Sequence, residues 1–266
     1  MTDLLPNLEY VLVGLDGRVA TVTLNRADQR NPLSDGMLRD LLAALSWCRD
    51  SAEVGVVVLT GAGDRAFCAG ADLSSFGTGV PELDRHRARH RLVELFRLLP
   101  ELGKPVIGRI NGHALAGGFG LACSCDLLVA IDRATFGTPE INLGLWPAMI
   151  QAVLARNLPR KVLLEMLLLG DRWTATQLKE VGLVNRVAGS LEELDAVTSD
   201  IAARLARKSP AIVEIGRTSF YVQQDMEFRA ALEYLQSQLS LVSLSEDAQE
   251  GVRAFLEKRA PEFKGR

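Results

Sequence analysis

The sequence predicts an α/β fold, a core of alternating strands and helices followed by a helical C-terminal region. Three observations carry this. β-Branched apolar runs alternate with segments of helical periodicity through the first half of the chain. One run, Val54-Gly55-Val56-Val57-Val58-Leu59, is almost continuously apolar, the pattern of a parallel strand buried on both faces. From about Ala148 onward the pattern is mostly helical.

The elements follow in order. Val19-Ala20-Thr21-Val22-Thr23-Leu24, between Asp16-Gly17 and Asn25-Arg26, is a predicted strand. Asn31-Pro32-Leu33-Ser34 leads into a helix near residues 35–49, with Leu38, Leu41, Leu42 and Leu45 on one face. The strand at residues 54–59 closes on Thr60-Gly61-Ala62-Gly63, and a helix at residues 83–99 precedes Lys104-Pro105. Val106-Ile107-Gly108-Arg109-Ile110 is the next strand. After the turn Asn111-Gly112 comes a small-residue helix from about Gly117 to Cys125, then a strand at Leu127–Ile131. Within the helical second half, Gly182-Leu183-Val184-Asn185-Arg186-Val187 reads as a short strand. No repeat, low-complexity segment or flexible linker interrupts the chain. The expected division is a core at residues 1–195 and a helical oligomerisation region at residues 196–266.

Composition narrows the function classes. The 266 residues are 48% hydrophobic and 24% charged, with Lys+Arg 30 against Asp+Glu 33 and a net charge of −3. A disordered chain has fewer apolar residues and a larger imbalance of charge. A mildly negative chain offers no electrostatic footprint for nucleic acid or an anionic membrane, so neither is an expected partner. The longest apolar candidate, Val162 to Leu169, contains Glu165 and falls well short of the ~18 residues of a membrane helix. Met1-Thr2-Asp3-Leu4-Leu5-Pro6 lacks the basic start and small-residue cleavage site of a secretory signal, so a cytosolic protein is expected.

Cys48, Cys68, Cys123 and Cys125 are too few and too irregular for a disulfide framework. Cys123 and Cys125, two apart in a predicted helix, point to different faces and cannot chelate one ion. They read as buried or idle thiols. His86 and His90 have the i, i+4 spacing of a helical metal pair, but no carboxylate at matching spacing is evident, and Arg85, Arg87, Arg89 and Arg91 surround them. A solvated basic face, or a contact for an anionic ligand, fits those arginines better than a metal.

Two stretches place small residues where a strand meets a helix: Ala66-Phe67-Cys68-Ala69-Gly70-Ala71-Asp72-Leu73, and Asn111-Gly112-His113-Ala114-Leu115-Ala116-Gly117-Gly118-Phe119-Gly120-Leu121. Free N–H groups at a helix start carry partial positive charge and receive anionic oxygens. Two such starts facing one point form an oxyanion hole; taken singly, each also reads as a tight packing turn. The Gly-x-Gly-x-x-Gly spacing of a dinucleotide fold, a phosphate loop and a Gly-x-Ser-x-Gly elbow are all absent from the sequence.

Phe67-Cys68-Ala69-Gly70-Ala71-Asp72-Leu73, the block from Asn111 to Asp126, and Ala134-Thr135-Phe136-Gly137-Thr138-Pro139-Glu140-Ile141-Asn142-Leu143-Gly144 occur in this order. Asn25-Arg26 and Asn31-Pro32-Leu33 precede them, and Glu257-Lys258-Arg259 and Phe263-Lys264 close the chain. With these motifs the chain resembles, along essentially its whole length, the crotonase superfamily of enoyl-CoA hydratases and isomerases. The resemblance implies a crotonase-like spiral of ββα units with a C-terminal helical region, assembled as a homotrimer or a dimer of trimers. It implies an acyl-CoA thioester substrate whose carbonyl oxygen is held by two backbone N–H groups, here those of Ala71 and Gly117. Ala69, Gly70, Gly118 and Gly120 would then border the substrate. Asp72 would stabilise the adjacent helix start. Lys258 matches a lysine that approaches the CoA phosphates, often from a neighbouring subunit; it also reads as an ordinary solvated lysine. No metal or cofactor is implied, since coenzyme A is part of the substrate.

Hydratases of this family carry two catalytic glutamates, and this chain departs from them. The first position is Gly120, which cannot transfer a proton; the second is Glu140. A third position used for an acid by other members matches Ala148, within Trp146-Pro147-Ala148-Met149-Ile150. Losing a general base typically costs ~10²–10⁴ in rate. A single carboxylate suffices to shuttle a proton from C2 to C4, so Δ3,Δ2-enoyl-CoA isomerisation is the favoured expectation, with Glu140 raised in pKa by an apolar pocket. Hydration with a second carboxylate from outside the motifs, and acyl-CoA binding without turnover, are the alternatives. Trp146 reads as a wall of the acyl pocket or as a core tryptophan, and Met149 and Phe119 are further candidates for shaping the pocket.

Overall fold

The alternation of strands and helices resolves into two sheets in the computed structural model, which describes residues 5–72 and 81–266. The larger sheet contains β1 (Val11–Asp16), β2 (Val19–Leu24) and β3 (Val56–Gly61). Its other strands are β5 (Val106–Ile110), β7 (Leu127–Ile131) and β10 (Arg186–Ala188), and the spatial order is β1-β2-β3-β5-β7-β10. Only the β1/β2 pairing is antiparallel. The smaller sheet orders β4 (Ala66–Cys68), β6 (His113–Leu115), β8 (Thr135–Gly137) and β9 (Arg172–Thr174) side by side.

Each later unit gives one strand to each sheet and then a helix. β3 and β4 precede α2 (Glu82–Leu98), β5 and β6 precede α3 (Gly117–Cys123), and β7 and β8 precede α4 (Ala148–Asn157). This is the expected spiral of ββα units. β3 is buried along its full length, as its unbroken apolar run requires. On α1 (Asp35–Asp50), Ser34 caps the first turn by accepting from the Met37 amide, and Met37, Leu38, Leu41, Ala44, Leu45 and Cys48 are buried.

The second half contains α5 (Arg160–Leu169), α6 (Ala175–Glu180), α7 (Leu191–Ala206), α8 (Pro210–Gln223), α9 (Phe228–Leu244) and α10 (Glu246–Leu256). α7 lies against β3, β5, β7 and β10, so residue 195 falls inside a continuous helix packed on the large sheet. α8 is pinned to the core through Arg217. Its guanidinium donates to Asp126 Oδ2 at 2.8 Å and to the carbonyls of Leu99 and Pro100 at 2.6 and 2.8 Å.

Several details differ from the sequence reading. The six-residue β1 was not assigned from sequence, and the strands β4, β6, β8 and β9 were not legible, since three residues carry no measurable period. α3 stops at Cys123, so Cys125 lies beyond it, and the 182–187 run is strand only from Arg186. All four cysteines are free and buried. His86 and His90 sit on the exposed face of α2, and there is a carboxylate at matching spacing after all: Glu94 Oε1 lies 3.7 Å from His90 Nε2. Among the described residues no helix is long and apolar enough to cross a membrane.

Candidate active site

Three loops, each ending a strand of the small sheet, meet at one corner. The first, running from Cys68 to Asp72, is braced by the segment before α1. The Ala69 amide donates to the Arg30 carbonyl at 3.0 Å, and the Leu33 amide to the Gly70 carbonyl at 2.8 Å. Asn31 stands beneath this brace, fully buried. Its side chain accepts from the Arg26 amide and donates to the carbonyls of Ala62 and Ala66 at 3.0 and 2.9 Å. Arg26 in turn pairs with Asp72 at 3.5 Å, so Asp72 ties the far end of the loop to the same segment. Leu73 and the helix start assigned to Asp72 lie outside the described residues.

The second loop is the β6–α3 turn. Ala116 takes φ +51° and ψ −127°, a region that costs a non-glycine residue ~1–3 kcal/mol. Gly70 (φ +95°) comes so close that a Cβ on it would stand 2.6 Å from Ala116 Cβ and 3.3 Å from the Gly117 amide nitrogen. A Cβ on Gly117 would stand 3.8 Å from the Ala71 nitrogen. The two amides named from the motifs therefore occupy one corner. Among the described residues neither donates to a protein acceptor, and Ala71 is exposed. Gly118 faces away, against β4: a Cβ there would meet the Cys68 carbonyl oxygen at 2.2 Å.

The third loop carries Glu140, in a 3-10 turn over Pro139–Leu143. Thr138 anchors this turn, its hydroxyl donating to the Met166 carbonyl at 2.9 Å, and the Ala116 amide donates to Gly137 O at 2.9 Å. Glu140 Oε2 is buried and has no hydrogen-bond partner among the described residues. Burial pushes the Glu140 carboxyl above its ordinary pKa, and a bond from its own backbone amide offsets this in part. The Ala116–Gly137 bond thus ties the strand that runs into Glu140 to the turn that carries the Gly117 amide; a half-buried carboxyl of raised pKa is suited to take and return a proton, and two free amides to receive an oxyanion.

The remaining candidates fall differently. Gly120 is buried, and a Cβ on it would stand 2.5 Å from Ile150 Cγ2 and 3.0 Å from Phe96 Cζ. It is a packing position between α3, α4 and α2 rather than an open wall of a pocket. Trp146 is 44% exposed with its indole N–H donating to Gln151 Oε1, which excludes the core alternative. Phe119 is fully buried edge-on to Phe136, behind the site. Lys258, exposed at the end of α10 with φ +57°, makes no described bond to the three loops. Asn31, Thr138, Phe96 and Ile150 received no role from sequence. The first two lay inside the quoted motifs and Ile150 inside the quoted Trp146–Ile150 segment; nothing local marked Phe96.

The family described as Enoyl-CoA hydratase/isomerase matches residues 15–266. The chain belongs to the enoyl-CoA hydratase/isomerase family. This family member is 34% identical over 260 residues to the 2,3-dehydroadipyl-CoA hydratase of Escherichia coli, covering 97% of this chain and all of that one. It is 36% identical over 225 residues to the carnitinyl-CoA dehydratase of Proteus mirabilis, covering 82% and 84% of the two chains. The solved enoyl-CoA hydratase of Mycobacterium smegmatis superposes with a TM-score of 0.92 at 35% identity, over 96% of this chain and 99% of that one. Human enoyl-CoA hydratase domain-containing protein 3 gives 0.92 at 30% identity, over 96% and 100%. The crotonase spiral and membership in a family of enzymes are thereby shown. Some relatives are named mitochondrial proteins.

Proposed function

We propose that this enzyme isomerises 3-enoyl-CoA thioesters to 2-enoyl-CoA thioesters, with Glu140 as the single proton carrier. The thioester oxygen accepts from the Ala71 and Gly117 amides, each worth ~3–4 kcal/mol to the developing enolate. Glu140 takes a proton from C2, the dienolate forms against the two amides, and the same carboxyl returns the proton to C4. The observation that carries this reading is the buried Oε2 of Glu140, without a hydrogen-bond partner among the described residues, together with the carbon atoms of Ile150 and Phe96 that stand nearest the place a side chain at Gly120 would take. No metal or redox cofactor takes part, and coenzyme A arrives with the substrate.

Hydration is the second reading, favoured by the hydratase and dehydratase activities of the relatives; an acyl-CoA binder without turnover is the third. Crotonyl-CoA and 3-hexenoyl-CoA offered separately sort them. Isomerisation raises the absorbance of the conjugated enone from the second substrate, hydration lowers it with the first, and a binder changes neither. Failure to conjugate 3-hexenoyl-CoA ends the isomerase reading.

A homotrimer, or a pair of trimers, completes the proposal. Leu239, Leu244 and Phe255 on α9 and α10 stand exposed, the last at 81%, and an assembly would cover such side chains. In it Lys258 would meet the CoA phosphates of a neighbouring subunit's substrate.

A further inference from the structure

We propose that Ile150, backed by Phe96, decides between proton shuttling and hydration at this site by filling the room beside Gly120 that a water molecule or a second acid would need. The inference rests on the reading of Glu140 as the single proton carrier.

α3 sets Gly120 one turn beyond Gly117, the Gly120 amide donating to the Ala116 carbonyl at 3.2 Å. The space leaving α3 at this point therefore adjoins the corner of the two free amides. Ile150 occupies it. A Cβ on Gly120 would stand 2.5 Å from Ile150 Cγ2, 2.9 Å from Ile150 Cβ and 3.0 Å from Phe96 Cζ. Ile150 is only 3% exposed, and its branched side chain has one strongly preferred χ1 rotamer in a helix, so it does not swing aside readily. A bound water needs two to four polar partners, and an isoleucine and a phenylalanine supply none. Glu140 leads into the same wall from the other side, the Leu145 amide donating to the Glu140 carbonyl at 3.0 Å shortly before α4 begins.

The step balances without water. The C2–H bond breaks as an O–H bond forms on Glu140, the double bond moves from C3–C4 to C2–C3, and the O–H bond breaks as C4–H forms. A dry wall keeps that proton on Glu140 between its two transfers.

The test runs the wild-type enzyme and Ile150→Ala on 3-hexenoyl-CoA in D2O. The wild type is expected to carry mostly substrate hydrogen to C4. Ile150→Ala is expected to show several-fold more deuterium at C4 and to release some 3-hydroxyacyl-CoA. A thermal cycle with Gly120→Ala reads the same wall without substrate: the substitution should lower the melting temperature by several degrees in the wild type and by far less in Ile150→Ala. Unchanged deuterium and products in an Ile150→Ala enzyme that still turns over would overturn the proposal. So would an equal melting loss in both backgrounds. A wild type that leaves 3-hexenoyl-CoA unconjugated defeats the Glu140 reading instead, and the melting cycle still judges the wall.

Discussion

The Ala116 amide donates to the Gly137 carbonyl at 2.9 Å, and this bond joins the turn ahead of Gly117 to the strand that runs into Glu140. The proposed donor Gly117 and the proposed proton carrier Glu140 thus follow adjacent strands, β6 and β8, paired at Leu115 and Gly137. A removal of the carboxyl alone should leave this frame standing.

Glu140→Gln is therefore expected to cut turnover by ~10²–10⁴ while acyl-CoA affinity, read by calorimetry, stays near the wild-type value. Wild-type rates in this variant would take Glu140 out of the mechanism.

The raised pKa of Glu140 sets two signs. In the proposed mechanism the ionised carboxylate is the base, so kcat/KM should rise with pH through an apparent pKa above the ordinary glutamate value. Stability runs the other way. The fold favours the protonated carboxyl, so this contribution is complete below the ordinary value and is lost as pH rises through the raised one. Melting curves of wild type and Glu140→Gln against pH should converge at low pH, with the variant the more stable near neutrality.

Introducing an acid at position 120 looks from sequence like a route to a hydratase. The Ile150 contact at 2.5 Å argues otherwise. Gly120→Glu alone should give no hydratase gain and cost ~1–3 kcal/mol of overpacking, a melting loss of ~2–4 °C per kcal/mol. Gly120→Glu combined with Ile150→Gly should recover much of that loss and show hydration of crotonyl-CoA. Hydration by Gly120→Glu alone would contradict the packing.

Arg217 is 9% exposed, and its guanidinium bridges Asp126 to the carbonyls of Leu99 and Pro100. Arg217→Ala leaves the Asp126 carboxylate with the Tyr221 hydroxyl and the Val106 amide but, among the described residues, no cation. Breaking one side of such a pair costs ~3–5 kcal/mol. Urea unfolding should show a loss of that size; a loss of only a few tenths would mean that α8 does not depend on this clamp.

Burial pushes the Cys48 and Cys68 thiols up to about 12, and raises Cys123 and Cys125 as well. At pH 8 thiolate is nearly absent, and the thiolate is the reactive form. Ellman's reagent should label none of the four in the native protein and all of them in denaturant. Rapid labelling of a native thiol would show that its cover opens.

Glu140, Ala71 and Gly117 could be named as candidates from sequence because their motifs are contiguous and stand in a fixed order along the chain. The roles of their supports were not. Asn31 and Thr138 act through carbonyls of Ala62, Ala66 and Met166, partners that no spacing rule links to them.

By itself the sequence determined the α/β class, the long strands β2, β5 and β7, the α1 stripe and the single glutamate at the motif positions. These follow from β-branching, helical period and residue identity, which are local properties. Only the tertiary structure decided that two free amides share a corner, that Trp146 stands half in solvent, and that Ile150 and Phe96 close the space beside Gly120. The first depends on the close approach of Gly70 to Ala116 and the last on packing between α2, α3 and α4, and interatomic distance between remote segments leaves no trace in local pattern.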